Sequence, residues 1–161
     1  MILDDFHTVV IGLNQDGVRV GELDLGAAPF GLSLSNALGN IHLRQVPLVD
    51  GSRLLYVADN LGVSFLTDPK SDRVLWMHVS LEVPSWRPRN EADPHACYSG
   101  RFLMNQKAIP LRPLSVSMAN MLRAVELGNV QLAFVPHEKT IAVINISFPV
   151  NEIFSTKSQC R

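Results

Sequence analysis

The sequence predicts an α+β fold in which antiparallel sheets carry two short helices. Three observations lead there. Apolar and polar residues alternate over several short runs, the period of a half-buried strand. Dipeptides rich in Asn, Asp and Gly separate those runs at hairpin spacing. Two segments place apolar residues at i, i+3, i+4 and i+7 behind a serine, the pattern of a capped amphipathic helix.

The elements follow in order. Residues 9–13 are a short β-rich run, turned by Asn14-Gln15-Asp16-Gly17. Residues 18–25 alternate again, with Gly21 marking a bulge where the alternation slips. Ser33 then caps Leu34, Ala37, Leu38 and Ile41, and Gly39-Asn40 ends that helix. Four strands are predicted next, at residues 42–46, 53–58, 61–67 and 74–83, with Asp50-Gly51, Asp59-Asn60 and the cluster 68–72 between them. In the last of these, Leu75, Met77, Val79, Leu81 and Val83 share one apolar face, the expected core side.

Residues 84–94 hold three prolines and little that could pack, so they read as an exposed linker. The pattern then restarts. Residues 101–104 form a strand, Asn105-Gln106-Lys107 turns it, and residues 109–111 return as an edge interrupted by Pro110. Ser117 caps Met118, Met121, Leu122 and Val125, and Gly128-Asn129 closes that helix. Residues 130–135 and 140–148 make a hairpin whose second strand, apolar on both faces, should be interior and buried.

The recurring order predicts a degenerate internal duplication: a β-β-α-β-β-β half at 1–83, a Pro-rich linker at 84–97, a β-β-α-β-β half at 98–154 and a loose tail at 155–161, all in one unit. Leu32-Ser33-Leu34-Ser35 matches Leu114-Ser115-Val116-Ser117, and each half has an Asn-Gln turn.

Composition bounds the function. The chain of 161 residues is 47% hydrophobic and 18% charged, which excludes a disordered chain. Its net charge of −1 argues against a dedicated nucleic-acid binder. Two cysteines exclude a disulfide scaffold, and no apolar run reaches the length of a membrane helix. Asp4 and Asp5 stand where a signal peptide needs basic residues, so a cytoplasmic protein is expected.

No motif carries catalysis. Phosphate loops are absent, and Tyr98-Ser99-Gly100 lacks the leading glycine of a nucleophile elbow. Asp93, His95 and Cys97 could each ligate zinc, but no second Cys or His lies at ligand spacing, so neither metal nor cofactor is expected. His95 and Cys97 could pair as thiol and base, with no third group to orient them. Trp76 and His78 share one strand face. Trp86, Arg87 and Arg89, beside Glu91 and Asp93, are the candidate partner-binding residues, because Trp and Arg are favoured interface anchors.

Two stretches carry a resemblance. Leu55-Tyr56-Val57-Ala58-Asp59-Asn60-Leu61-Gly62-Val63 is an aromatic strand turning through Asp and Gly into a second strand. Tyr98-Ser99-Gly100-Arg101-Phe102-Leu103-Met104-Asn105-Gln106-Lys107 opens the second half. Together they resemble bacterial immunity proteins encoded beside interbacterial toxins of type VI secretion and polymorphic systems. That resemblance implies a repeated β-β-α-β arrangement and no shared catalytic residues. It also implies a non-enzymatic protein whose partner is a cognate toxin acting in the cytosol, such as a nuclease; the net charge and the apolar runs, not the resemblance, give the expectation of no nucleic-acid or membrane partner. The alternatives are an adaptor or chaperone for a secreted effector, and a small enzyme using His95 and Cys97.

Overall fold

The first hairpin is β1 (Val10–Asn14) and β2 (Gly17–Val20), closed by the Asn14–Gly17 pair. The structure is a computed structural model that describes residues 10–14, 17–20, 23–24, 42–48, 53–68, 73–82, 85–125 and 130–147. The expected helix at 34–41 and the tail at 155–161 lie outside those residues.

Val20 pairs with Leu23, so β3 (Leu23–Asp24) folds back antiparallel on β2. The expected single strand with a bulge at Gly21 is therefore two strands, because the chain reverses between Val20 and Leu23. On the other side of β1 lies β8 (Arg101–Met104), and β9 (Lys107–Ala108) completes a five-stranded sheet in the order β3-β2-β1-β8-β9. Asn105 and Gln106 turn β8 into β9 with φ of 51° and 69°, the double positive φ of a tight hairpin turn. The second strand of this hairpin is thus earlier than the expected 109–111. Ile109 donates one more bond to the Phe102 carbonyl before Pro110, which has no N–H, ends the pairing.

The second sheet is a meander extended by a hairpin. Strands β4 (Arg44–Pro47), β5 (Leu54–Ala58), β6 (Val63–Asp68) and β7 (Arg73–Ser80) pair antiparallel in sequence. Strand β11 (Thr140–Ser147) lies beside β7 and β10 (Gln131–His137) beside β11, in the order β10-β11-β7-β6-β5-β4. Strand β11 is interior, as its two apolar faces require, with Ile141, Ala142, Ile144 and Ile146 buried.

The register shifts between Leu66 and Thr67 opposite β7, so that Leu66 pairs with Trp76 and Thr67 with Val74. Leu75 is the extra residue of this irregularity. The expected core face is corrected accordingly: Val74, Met77 and Val79 enter the main core, while Leu75 packs on a smaller cluster with Val46, Leu55, Val57 and Leu66. Val83 lies outside the described residues.

The helix α1 (Val116–Arg123) is capped by Ser115, whose Oγ accepts from the Met118 amide at 3.1 Å. Ser117 is not the cap. Ser115 is extended and bridges Thr140, which places it and not Ser117 at the helix start. Ala119 and Leu122 form the buried stripe, and Met121 points away from the core.

Both sheets contribute to one core, and each sheet contains strands from both sides of residues 84–97. The pair β1/β8 is parallel, with Ile11 opposite Phe102 and Leu13 opposite Met104, all four buried. Strand β2 leaves this pair on one side and β9 on the other. The half turn that superposes one hairpin on the other also turns the sheet over and sends inward residues outward. These two hairpins are therefore not a rigid repeat of one another, and the expected duplication also rests on the helix at 34–41, outside the described residues.

One glycine locks the sheets to the segment between them. Gly62 has φ of +81°, and a Cβ there would stand inside the backbone of Cys97 and Tyr98 and 2.8 Å from the Ala96 oxygen. Ser80 donates to the Gly62 carbonyl and Tyr98 to the Ser80 carbonyl, each at 2.8 Å. The Tyr98 ring then crosses the core, and its phenol donates to the Arg101 carbonyl at the start of β8. Burial pushes that phenol well above its ordinary range, although the Ile11 backbone adds a hydrogen bond to the same oxygen.

Two outcomes are expected. Gly62→Ala costs about 2 kcal/mol or more in urea denaturation, through left-handed strain and backbone overlap, whereas Gly12→Ala in β1, where a Cβ meets nothing within 4 Å, is near neutral. His78 stacks on Trp76 at 3.9 Å, and burial pushes its pKa down from 6.5 to about 4. A depressed histidine gives stability that is complete above its unfolded pKa and lost on acidification, here between pH 6.5 and about 4. His78→Phe should flatten denaturation midpoints across that window; an unchanged slope would contradict the assignment.

Candidate partner-binding site

Residues 85–97 are exposed over 85–92, as a linker between the halves was expected to be, and they also form a loop held by hydrogen bonds. The loop forms because three arginines satisfy the backbone that no sheet reaches. Arg44, at the start of β4, places its guanidinium on Asp59 in the β5–β6 turn, with Nε to Oδ2 at 2.8 Å and Nη2 to Oδ1 at 2.9 Å. The same guanidinium reaches the loop, donating from Nη1 to the Glu91 carbonyl at 2.7 Å and from Nη2 to the Asp93 carbonyl at 3.3 Å. The planar, many-donor fork of arginine makes this clip possible; lysine has no equivalent. The Asp59 carbonyl takes the Ala96 amide at 2.9 Å, and His95 Nε2 lies 3.7 Å from Asp59 Oδ1.

Within the loop, Arg87 makes a two-pronged pair with Asp93, at 2.9 and 3.0 Å. Asp93 Oδ2 also accepts the Asn90 amide at 3.0 Å, and Asn90 Oδ1 accepts the Ala92 amide at 2.8 Å. Arg89 donates to the Pro94 carbonyl at 2.8 Å. Of the candidate residues, Arg87, Arg89 and Asp93 therefore shape the loop, and the Glu91 side chain is exposed.

Trp86 is held from the other side. Its ring stacks on His137 of β10 with centroids 3.9 Å apart and planes 17° from parallel. His137 Nδ1 is 3.2 Å from Glu82 Oε2, and the Thr140 hydroxyl donates to Glu82 Oε1 at 2.6 Å. The carboxylate fixes the imidazole and the imidazole fixes the indole. Trp86 still leaves 39% of its surface open.

The electrostatics follow the clips. Hydrogen bonds from Arg44 hold the Asp59 carboxyl below its ordinary 3.8, outweighing burial. Burial acts to raise Asp93, yet bonds from Arg87 and Asn90 prevail and hold it low.

His95 and Cys97 do not form a reactive pair. The His95 ring turns to Asp59, Cys97 is half-buried against Gly62, and no hydrogen bond joins them. Among the described residues, no group of three His, Cys, Asp or Glu side chains is placed to hold a metal ion, and no helix is long and apolar enough to cross a membrane.

Arg44, Asp59, Glu82, His137 and Thr140 were not legible as site residues. The bonds of Arg44 to the loop span 47 and 49 residues and those of Glu82 to β10 and β11 span 55 and 58, so no local pattern announces them. No protein-family model matches the chain, and neither a curated protein nor a solved structure matches it.

The loop should come loose in acid. A carboxyl whose folded pKa is depressed gives stability that is present above its unfolded pKa and lost as pH falls through the folded value, so Asp59 and Asp93 act below about pH 4. An NMR titration should show the Ala96 amide resonance unchanged down to pH 4 and moving below it. Arg44→Ala should bring that movement to neutral pH and cost about 1–2 kcal/mol in denaturant. A resonance that Arg44→Ala leaves in place would mean that the clip does not shape the loop.

Proposed function

We propose that this protein is an immunity protein: a cytoplasmic, non-enzymatic binder that neutralises a cognate bacterial toxin by covering its active site. The observation that carries this reading is the state of Trp86. Its indole is stacked on His137, keeps 39% of its surface exposed, and is mounted on a loop whose shape Arg44, Arg87 and Asp93 already set. Binding through a preset loop avoids most of the entropy cost of ordering one, and an aromatic anchor supplies much contact for few rotatable bonds.

The resemblance of residues 55–63 and 98–107 to immunity proteins supports the same reading. The residues that resemblance draws on have structural work in this fold: Asp59 receives Arg44, Gly62 seats Tyr98, and Asn105 makes the hairpin turn. A toxin delivered by type VI secretion or a related system, and acting on a cytosolic substrate, is the partner this reading assigns.

Coexpression with any toxin-like protein that the neighbouring genes prove to encode tests it. The wild-type chain should restore growth, and Trp86→Ala should weaken binding about thirtyfold, or 2 kcal/mol, with an unchanged circular dichroism spectrum. Trp86→Phe, which keeps the stack on His137, should retain most of the affinity. Equal binding by wild type and folded Trp86→Ala would remove the loop from the interface.

A further inference from the structure

One stretch of the chain differs in charge from the rest. Residues 94–125 carry Arg101, Lys107, Arg112 and Arg123 and no Asp or Glu, although the whole chain has a net charge of −1. Arg44 and Arg87 each hold a carboxylate of their own. Among the described residues, no carboxylate pairs with Arg101 or Arg112, and both are exposed.

These two arginines line one hollow. It is an open cleft of about 340 Å³ between residues 98–102, which lead into β8, and residues 108–112, which leave β9. Phe102, Ile109 and Leu111 give it apolar walls, and Ser99 borders it. The walls are clamped to each other. Ile109 donates to the Phe102 carbonyl at 2.8 Å, and Arg112 Nη2 donates to the Tyr98 carbonyl at 2.9 Å. Leu103 pairs with Ala108 between the same two segments. The buried Tyr98 phenol holds the Arg101 carbonyl, so the backbone that carries this arginine is fixed too. The hollow is thus shaped by the fold before any ligand enters it.

We propose that this hollow binds a small organic anion, a carboxylate or phosphate borne on an apolar body. This goes beyond the immunity reading and does not depend on it. Arg101 and Arg112 take the charge, and Phe102, Ile109 and Leu111 surround the body. The chemistry of the lining names the ligand. A guanidinium fork matches the two oxygens of a carboxylate or phosphate, and such charge-assisted pairs are the stronger hydrogen bonds. No acid of the chain competes for either fork, so an incoming anion displaces no ion pair. Arg112 gives one donor of its fork to Tyr98 and keeps the others. Arg101 makes no side-chain bond within the chain and can close on what enters. The acid-free stretch around them keeps the local potential positive. The volume lies at the lower end of small-molecule sites, roughly 300–1,000 Å³, which suits a ligand of about one ring.

The test is an amide NMR titration of the full chain with benzoate, phenyl phosphate, inorganic phosphate and uncharged benzamide. Benzoate or phenyl phosphate should shift Ser99, Ile109 and Leu111 saturably, with a Kd of about 1 mM or lower. The tighter of the two separates a carboxylate site from a phosphate site. Inorganic phosphate, which has no body for the walls, should bind about fivefold more weakly or worse, and benzamide, which has no charge, should not saturate. Arg112→Gln also removes the bond to Tyr98, so Arg101→Gln is the deciding variant. It should weaken binding about tenfold with an unchanged circular dichroism spectrum. Arg53→Gln, at an exposed arginine that does not line the hollow, should leave binding as it was. No saturable shift with either organic anion overturns the proposal. So does binding of benzamide as tight as that of the anions, or binding by folded Arg101→Gln as tight as by the wild type. An equal loss in Arg53→Gln would reduce the effect to general charge, and inorganic phosphate as tight as phenyl phosphate would leave an adventitious ion only; either result overturns it as well.

Discussion

The seat of Gly62 against residues 96–98 holds the rest of the structure in relation. At this point the β5–β6 turn, the end of β7 and the chain leading into β8 come into backbone contact, leaving no space for a side chain. The bonds Ser80 to Gly62 and Tyr98 to Ser80 continue the pairing of the six-stranded sheet into a segment that belongs to neither sheet. Tyr98 then carries that order across the core to β1 and β8. Those two strands come from distant parts of the sequence and pair in parallel with no turn between them, and the Tyr98 phenol contacts the backbone of both. Large, fully buried side chains such as Phe65, Phe102 and Ile144 fill the space around the tyrosine, each contributing about 2–3 kcal/mol of burial.

The same seat explains why a proline-rich stretch becomes an ordered loop. With residues 96–98 fixed at one end and Glu82 tied to Thr140 and His137 near the other, the loop has closed ends and a restricted set of paths. Arg44 and the Arg87–Asp93 pair then choose among them. These contacts lie partly in solvent and are individually modest. Their effect is geometric: they leave Trp86 stacked on His137 and still partly exposed.

Much of the antiparallel meander was legible, because alternation and Asx-Gly turns are local signals. Asn105-Gln106 gave the β8–β9 turn and residues 130–148 their hairpin. The misreadings are local rules overridden by distant contacts. Leu75 follows the apolar alternation of β7, but the register shift against β6 displaces it from the main core. Ser117 fits the helical period, but the bridge from Ser115 to Thr140 sets the cap two residues earlier. The match of Leu32-Ser33 with Leu114-Ser115 pointed to the correct serine, so that signal was present in the sequence and periodicity obscured it. In the candidate site, the residue types of the loop were visible, but the clips were not. Arg44 and Glu82 act across 47 to 58 residues, where only the folded chain brings partners together.

The central claim is that the loop is built before any partner arrives, and native-state hydrogen exchange on the free protein tests it most directly. The amides of Asn90, Ala92, Asp93 and Ala96 each have an acceptor within the chain. The account predicts that Ala96, bonded to Asp59 beside the Gly62 seat, is protected to a degree approaching β7, and that Asn90, Ala92 and Asp93 are protected measurably above an unstructured peptide. Exchange of all four at the unstructured rate, with β7 still protected, would show that the loop is formed only on binding and would contradict the account.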